Sequence, residues 1–267
     1  MNNDDKRVLN LEKGVNFREL GGYKTVDDKT IKYHKVIRSA GLSDLTTNDL
    51  NFLDKYGLKF DVDFRSQEEI NNKPDKLPKN AEYVQASVFE ADETEASKVQ
   101  SKSFIPEIGG DPTDGFEHMK DVYRDIITGQ QAKSAYRTFF DKLLTNDQDD
   151  KVLLFHCSAG KDRTGMGAVY LLSALGVPMN VIKQDYLLTN QANKQFVDNL
   201  IKTLQTKGYT DKNILSSVRD LMTVHTDYLA AAEKEIAELS GNIDNYIKDE
   251  LKVIPSEIRD LRAIYLN

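Results

Sequence analysis

Lys151-Val152-Leu153-Leu154-Phe155-His156-Cys157-Ser158-Ala159-Gly160-Lys161-Asp162-Arg163-Thr164-Gly165 is the stretch from which the rest of the chain can be read. Lys151–Phe155 is a short apolar run of buried-strand type. Gly165–Leu175 reads as an apolar helix that Gly176 terminates, with Pro178 just beyond. A buried strand therefore enters a tight loop and leaves on a helix. That unit belongs to a sheet whose strands alternate with helices.

Working outward, Lys35–Arg38, Leu58–Phe64 and Glu82–Val88 read as further strands. Thr46–Tyr56 reads as a helix capped by threonine and stopped by Gly57. Tyr136, Phe139, Phe140, Leu143 and Leu144 fall at helical spacing and are assigned to packing. From Pro178 onward the pattern is helical, with breaks near Gly208, Gly241 and Pro255. The expectation is one α/β domain over 1–267, with a central sheet, flanking helices and a helix-rich C-terminal third. Residues 1–13 read as a polar extension, and 90–130 as an irregular lid.

Each feature of the ten residues from His156 to Gly165 suits capture of a phosphate dianion. A loop wrapped onto a helix N-terminus aims its N–H groups at one point, where the helix dipole adds roughly half a positive charge. The residues from Ser158 through Ala159, Gly160, Lys161 and Asp162 to Arg163 would form that cradle. Cys157 shares its field, which favours a thiolate nucleophile. Arg163, six positions later, can grip two phosphoryl oxygens with a planar fork that lysine cannot copy. Gly160 permits a backbone shape that a Cβ would hinder. The Thr164 hydroxyl is placed to donate to the sulfur when it leaves. His156 is expected to brace the loop by hydrogen bonding, because a thiolate formed by the field needs no base.

The alternative for Cys157 is an inert core thiol. An arginine six positions on arises by chance about once in 20, but the added His, Gly and Thr-Gly bring coincidence to roughly one in a million. Nucleotide-binding loops fail on spacing. Phe155 stands where a phosphate loop needs glycine, and Asp162 where it needs Ser or Thr. Gly165-Met166-Gly167 has Tyr170 where a dinucleotide fingerprint needs a small residue.

Composition agrees and excludes other classes. The 267 residues are 39% hydrophobic and 30% charged, enough for a core without a disordered bias. A net charge of −7 argues against a nucleic-acid partner. With a single cysteine, neither an internal disulfide nor a Cys-x-x-Cys zinc site can form. Met1–Lys13 lacks the basic start and apolar stretch of a secretory signal. The longest apolar run, Met166–Val177, falls short of the roughly 20 residues that span a bilayer. No transmembrane segment is expected, and the chain is placed in the cytoplasm or among secreted proteins. The pattern carries no signal for oligomeric state.

The loop resembles that of the bacterial tyrosine-phosphatase family that includes secreted mycobacterial and listerial virulence phosphatases. The likeness extends to Asn16-Phe17-Arg18-Glu19-Leu20-Gly21-Gly22, Arg38-Ser39, Asp63-Phe64-Arg65-Ser66, Asp185-Tyr186-Leu187 and Asp227-Tyr228-Leu229-Ala230-Ala231-Ala232. It implies a mainly parallel sheet flanked by helices, a helical lid and no metal or other cofactor. It also implies activity on phosphotyrosine proteins, with variable activity on phosphoserine, phosphothreonine and phosphoinositides. A phosphate-binding module without turnover is the alternative from another class. Intact Cys157, Arg163 and Thr164 stand against it.

The leaving oxygen usually needs an acid, and the Trp-Pro-Asp loop of classical tyrosine phosphatases cannot exist in a chain without tryptophan. Asp162, inside the loop, and Asp92, after a strand, share the candidacy, with Glu90 next. Lys161 adds a cation suited to a substrate with more than one phosphate. Arg65 could fix Asp162, bind substrate or form a structural ion pair. Arg18 and Arg38 are read as structural.

Overall fold

The computed structural model describes residues 7–95, 97, 111 and 113–267. Its strands are β1 (Arg18–Glu19), β2 (Val36–Ser39), β3 (Leu58–Asp63), β4 (Glu82–Gln85) and β5 (Val152–His156), in spatial order β1-β2-β5-β3-β4. All pairings are parallel except β1 with β2. The apolar run of β5 is buried along its whole length because both sheet faces are covered. Val152 and Leu154 pack with Leu53 of α1 (Thr47–Tyr56) on one face. Leu153 and Phe155 join the large core on the other.

Local chemistry explains the element ends. Thr46 caps α1 in a capping box with Asp49, and Gly57 closes it at φ 94°. Ser66 and Glu69 form a second capping box that starts α2 (Gln67–Asn72), a six-residue helix too short for its periodicity to announce it. Next come α3 (Asp114–Thr128), α4 (Gln130–Thr145) and α5 (Asp162–Leu175). In α5 every residue except Ser173 is buried, and the helix begins three residues earlier than its apolar pattern suggests. The C-terminal third is α6 (Met179–Ala192), α7 (Lys194–Thr206), α8 (Lys212–Met222), α9 (Thr226–Ser240), α10 (Ile243–Asp249) and α11 (Pro255–Tyr265).

Two boundaries differ from expectation. Arg7 is buried, its main chain accepts from Glu19 N, and its guanidinium lies 3.5 Å from the Tyr23 ring centroid. The described part of 1–13 thus closes the β1 edge of the sheet. Within 90–130, the whole of α3 is core structure, because Met119, Val122, Tyr123, Ile126 and Ile127 form one apolar face. The stretch 98–110 lies outside the described residues.

Candidate active site

The loop between β5 and α5 passes beneath a cleft of about 380 Å³. Cys157 lies just under its floor at 2% exposure, while Ser158 and Ala159 line it. Val15, Phe196 and Met222 give the cleft apolar walls, and Lys13 and Lys73 add charge. Gly160 adopts φ 65°, and a Cβ there would sit 2.4 Å from Ser39 O, so the loop's close approach to β2 requires glycine.

Arg163 is fully buried and held from two sides. Its Nη1 and Nη2 donate to Glu69 at 2.7 and 3.0 Å, closing the end of the fork. Nη2 also donates to Asp92 Oδ1 and Thr94 Oγ1, each at 3.3 Å. Its Nε is buried without a hydrogen-bond partner among the described residues. Burial raises the Glu69 carboxyl, but the Arg163 charge and hydrogen bonds from Arg163, Ser158 and Ser66 outweigh it, holding Glu69 at about 2. Ser158 Oγ also donates to Glu69, so one carboxylate ties both ends of the loop to α2. Sequence reasoning missed Glu69, although the Ser66-x-x-Glu69 capping box was a visible signal.

The two acid candidates are separated. Asp92 lines the cleft and accepts from Arg163, Thr94 and Ser97. Asp162 faces the core side: it is 1% exposed, pairs with Lys161 and accepts from Tyr123 OH at 3.0 Å. Tyr186 OH in turn donates to Tyr123 OH at 2.8 Å. Glu90 is exposed. Lys161 is itself fully buried in its pair with Asp162.

The remaining residues fall behind the loop. Thr164 is buried, and its Oγ1 has no hydrogen-bond partner among the described residues. His156 donates through Nδ1 to Cys157 O at 3.2 Å and places Nε2 3.3 Å from Asp61 and 3.2 Å from Asp75. Burial disfavours the imidazolium, but Asp63, Asp61 and Asp75 outweigh it and raise His156 well above the usual histidine range. It braces the loop through its bond to the Cys157 carbonyl. Arg65 lines the cleft, grips Asp63 and Asp75 and makes no hydrogen bond to Asp162 among the described residues. Arg18 and Arg38 converge on Asp185, consistent with a structural reading.

A thiol on a strand end, with an arginine six residues later in the first turn of the following helix, defines the cysteine-dependent phosphatase class. The tyrosine phosphatase family model matches residues 9–267, and the chain belongs to that family. A provisionally named tyrosine-protein phosphatase of Cupriavidus necator is 31% identical over 252 residues, covering 94% of this chain and 85% of the relative. The triple specificity protein phosphatase PtpB of Mycobacterium tuberculosis is 26% identical over 267 residues, covering 91% and 93%. Among the described residues no helix is long and apolar enough to cross a membrane.

Proposed function

We propose that this chain dephosphorylates phosphotyrosine by transferring the phosphoryl group to Cys157. The observation that carries the reading is the unused edge of Arg163. Glu69 occupies the end of the fork, while Nε has no partner among the described residues and Nη2 holds two longer bonds. A phosphoryl group entering from the cleft can take Nε and Nη2 together, displacing Asp92 and Thr94 from Nη2. The bidentate grip then strengthens as charge builds on the equatorial oxygens.

The Cys157 thiolate attacks phosphorus, a sulfur–phosphorus bond forms, and the bond from phosphorus to the tyrosine oxygen breaks. The phenolate takes a proton from a cleft carboxyl, for which Asp92 is better placed than Asp162. Water then attacks the cysteinyl phosphate, releasing inorganic phosphate and restoring the thiolate. Val15, Phe196 and Met222 suit a flat aromatic leaving group. Phosphoinositide hydrolysis would use the same thiol and arginine without help from Lys161.

Release of phosphate from a phosphotyrosine peptide and from para-nitrophenyl phosphate, with EDTA present, tests this. Cys157→Ser should abolish turnover and keep oxyanion binding. Turnover within tenfold of the parent would remove the nucleophile from Cys157.

A further inference from the structure

The loop's carbonyl groups are held from outside by a ring of donors. His156 Nδ1 lies 3.2 Å from Cys157 O, and Gly41 N donates to Ser158 O at 3.3 Å. Asn16 Nδ2 and Asn193 Nδ2 each reach Ala159 O at 3.4 Å. Asn16 Nδ2 also reaches Gly160 O at 2.8 Å, and Arg38 Nη2 reaches the same oxygen at 3.0 Å. Four consecutive carbonyls thus have donors in the surrounding protein, and Asn16 and Arg38 approach from outside the cleft lining.

In a planar trans peptide the carbonyl of one residue and the N–H of the next point in opposite directions. Holding the carbonyls of Cys157, Ser158, Ala159 and Gly160 outward therefore turns the N–H groups of Ser158, Ala159, Gly160 and Lys161 inward. None of these four N–H groups donates to another protein group among the described residues.

We infer that Asn16, seconded by Asn193 and Arg38, is a positioning residue that fixes the direction of the loop's amides and so sets its affinity for a phosphoryl dianion. This rests on the proposed function, in which the loop cradles a phosphoryl group.

The surroundings of Asn16 support the assignment. It is buried at 6% exposure and adopts φ 57°, a left-handed conformation that asparagine tolerates better than most residues. Its Oδ1 accepts from Arg18 Nη1, which fixes which end of the amide donates. Arg38 is steadied by Asp185 at 2.9 Å, and Asp185 also accepts from Tyr23 OH at 3.0 Å. The donors at Gly160 O thus belong to a buried network outside the cleft. Neither Asn16 nor Arg38 is among the residues that line the cleft, so they act through the loop.

Calorimetric titration with orthovanadate and with inorganic phosphate tests the inference without relying on turnover. Asn16→Gly tolerates the left-handed backbone and removes the donor. It should weaken both anions at least tenfold and lower kcat with a folded circular-dichroism spectrum. Asn16→Asp keeps the size and the acceptor for Arg18 but turns a carboxylate toward the two carbonyls, and it should weaken them further. Asn193→Ala, which loses one long bond, should cost two- to threefold. Parental vanadate affinity in a folded Asn16→Gly would overturn the inference. If Asn16→Gly does not fold, parental affinity in Asn193→Ala would overturn it as well. A parent that binds vanadate but does not hydrolyse para-nitrophenyl phosphate would instead sink the proposed function and leave this role for Asn16 standing.

Discussion

Lys161 and Arg163 stand two residues apart where the loop enters α5, and both are fully buried, yet they serve opposite sides of the loop. Arg163 turns to the cleft side, where Glu69 and Asp92 meet it. Lys161 turns to the core side, where Asp162 and, through it, Tyr123 receive it. A motif specifies which charges are present. The neighbouring elements decide whether a charge is offered to a ligand or consumed by the fold. On the cleft side the partners leave Arg163 Nε without a hydrogen bond among the described residues, and on the core side a carboxylate pairs with Lys161.

The sharpest way to break this contrast is Arg163→Lys. A point charge can keep part of the bond to Glu69 but cannot present a second planar edge, so kcat should fall at least about 100-fold. Steady-state kinetics on para-nitrophenyl phosphate would show it. A rate near the parent's would mean that the open edge of Arg163 has no part in the transition state.

Glu69→Gln probes the cleft-side clamp through acid stability. Glu69 sits at about 2 when folded against an ordinary 4.5, so its contribution is fully present above pH 4.5 and is lost as pH falls toward 2. The shift corresponds to roughly 3 kcal/mol. Urea unfolding at pH 7 and pH 3 should show the parent losing more stability than Glu69→Gln over that interval. Equal losses would mean that the Arg163 pairing is not the cause.

Asp92→Asn and Asp162→Asn compare the two sides directly. On an alkyl phosphate, Asp92→Asn should flatten the limb of the pH–rate profile that needs a protonated carboxyl, with a loss of about 10- to 50-fold. Asp162→Asn should lower the melting temperature and keep the shape of the profile. The reverse result would show that Asp162 leaves Tyr123 and swings toward the cleft during turnover.

The smallest effect is expected in a ratio. Lys161→Ala leaves Asp162 buried without its cation and should destabilise the fold. Its losses on a phosphotyrosine peptide and on a phosphoinositide should nevertheless agree within about threefold, because a consumed charge cannot discriminate between substrates. A tenfold greater loss on the lipid would restore Lys161 as a cation facing a second phosphate.

Much of this was legible in the chain because local chemistry and tertiary demand agree there. Thr46 and Gly57 bracket α1 as their types require, and the apolar run of β5 enters Cys157 at the expected place. Arg163 could be named from spacing alone. The direction of Lys161 could not, because it depends on Tyr123 in α3, a helix absorbed into the expected lid. Glu69 escaped for a related reason. Its capping box was readable, but the bonds to Arg163 exist only after β3 and β5 lie side by side.

That double duty of Glu69 bears on the order in which the protein can be made. The capping box spans four residues, so α2 can start as soon as its own segment leaves the ribosome. The arginine that neutralises Glu69 is 94 residues further along and does not yet exist. An unpaired carboxylate costs several kcal/mol to bury. Because β5 also lies between β2 and β3, the nascent first half leaves Glu69 in water and its sheet in two parts until β5 and α5 arrive. A gene split between β4 and β5 should yield an N-terminal fragment that stays unfinished until the other half is supplied.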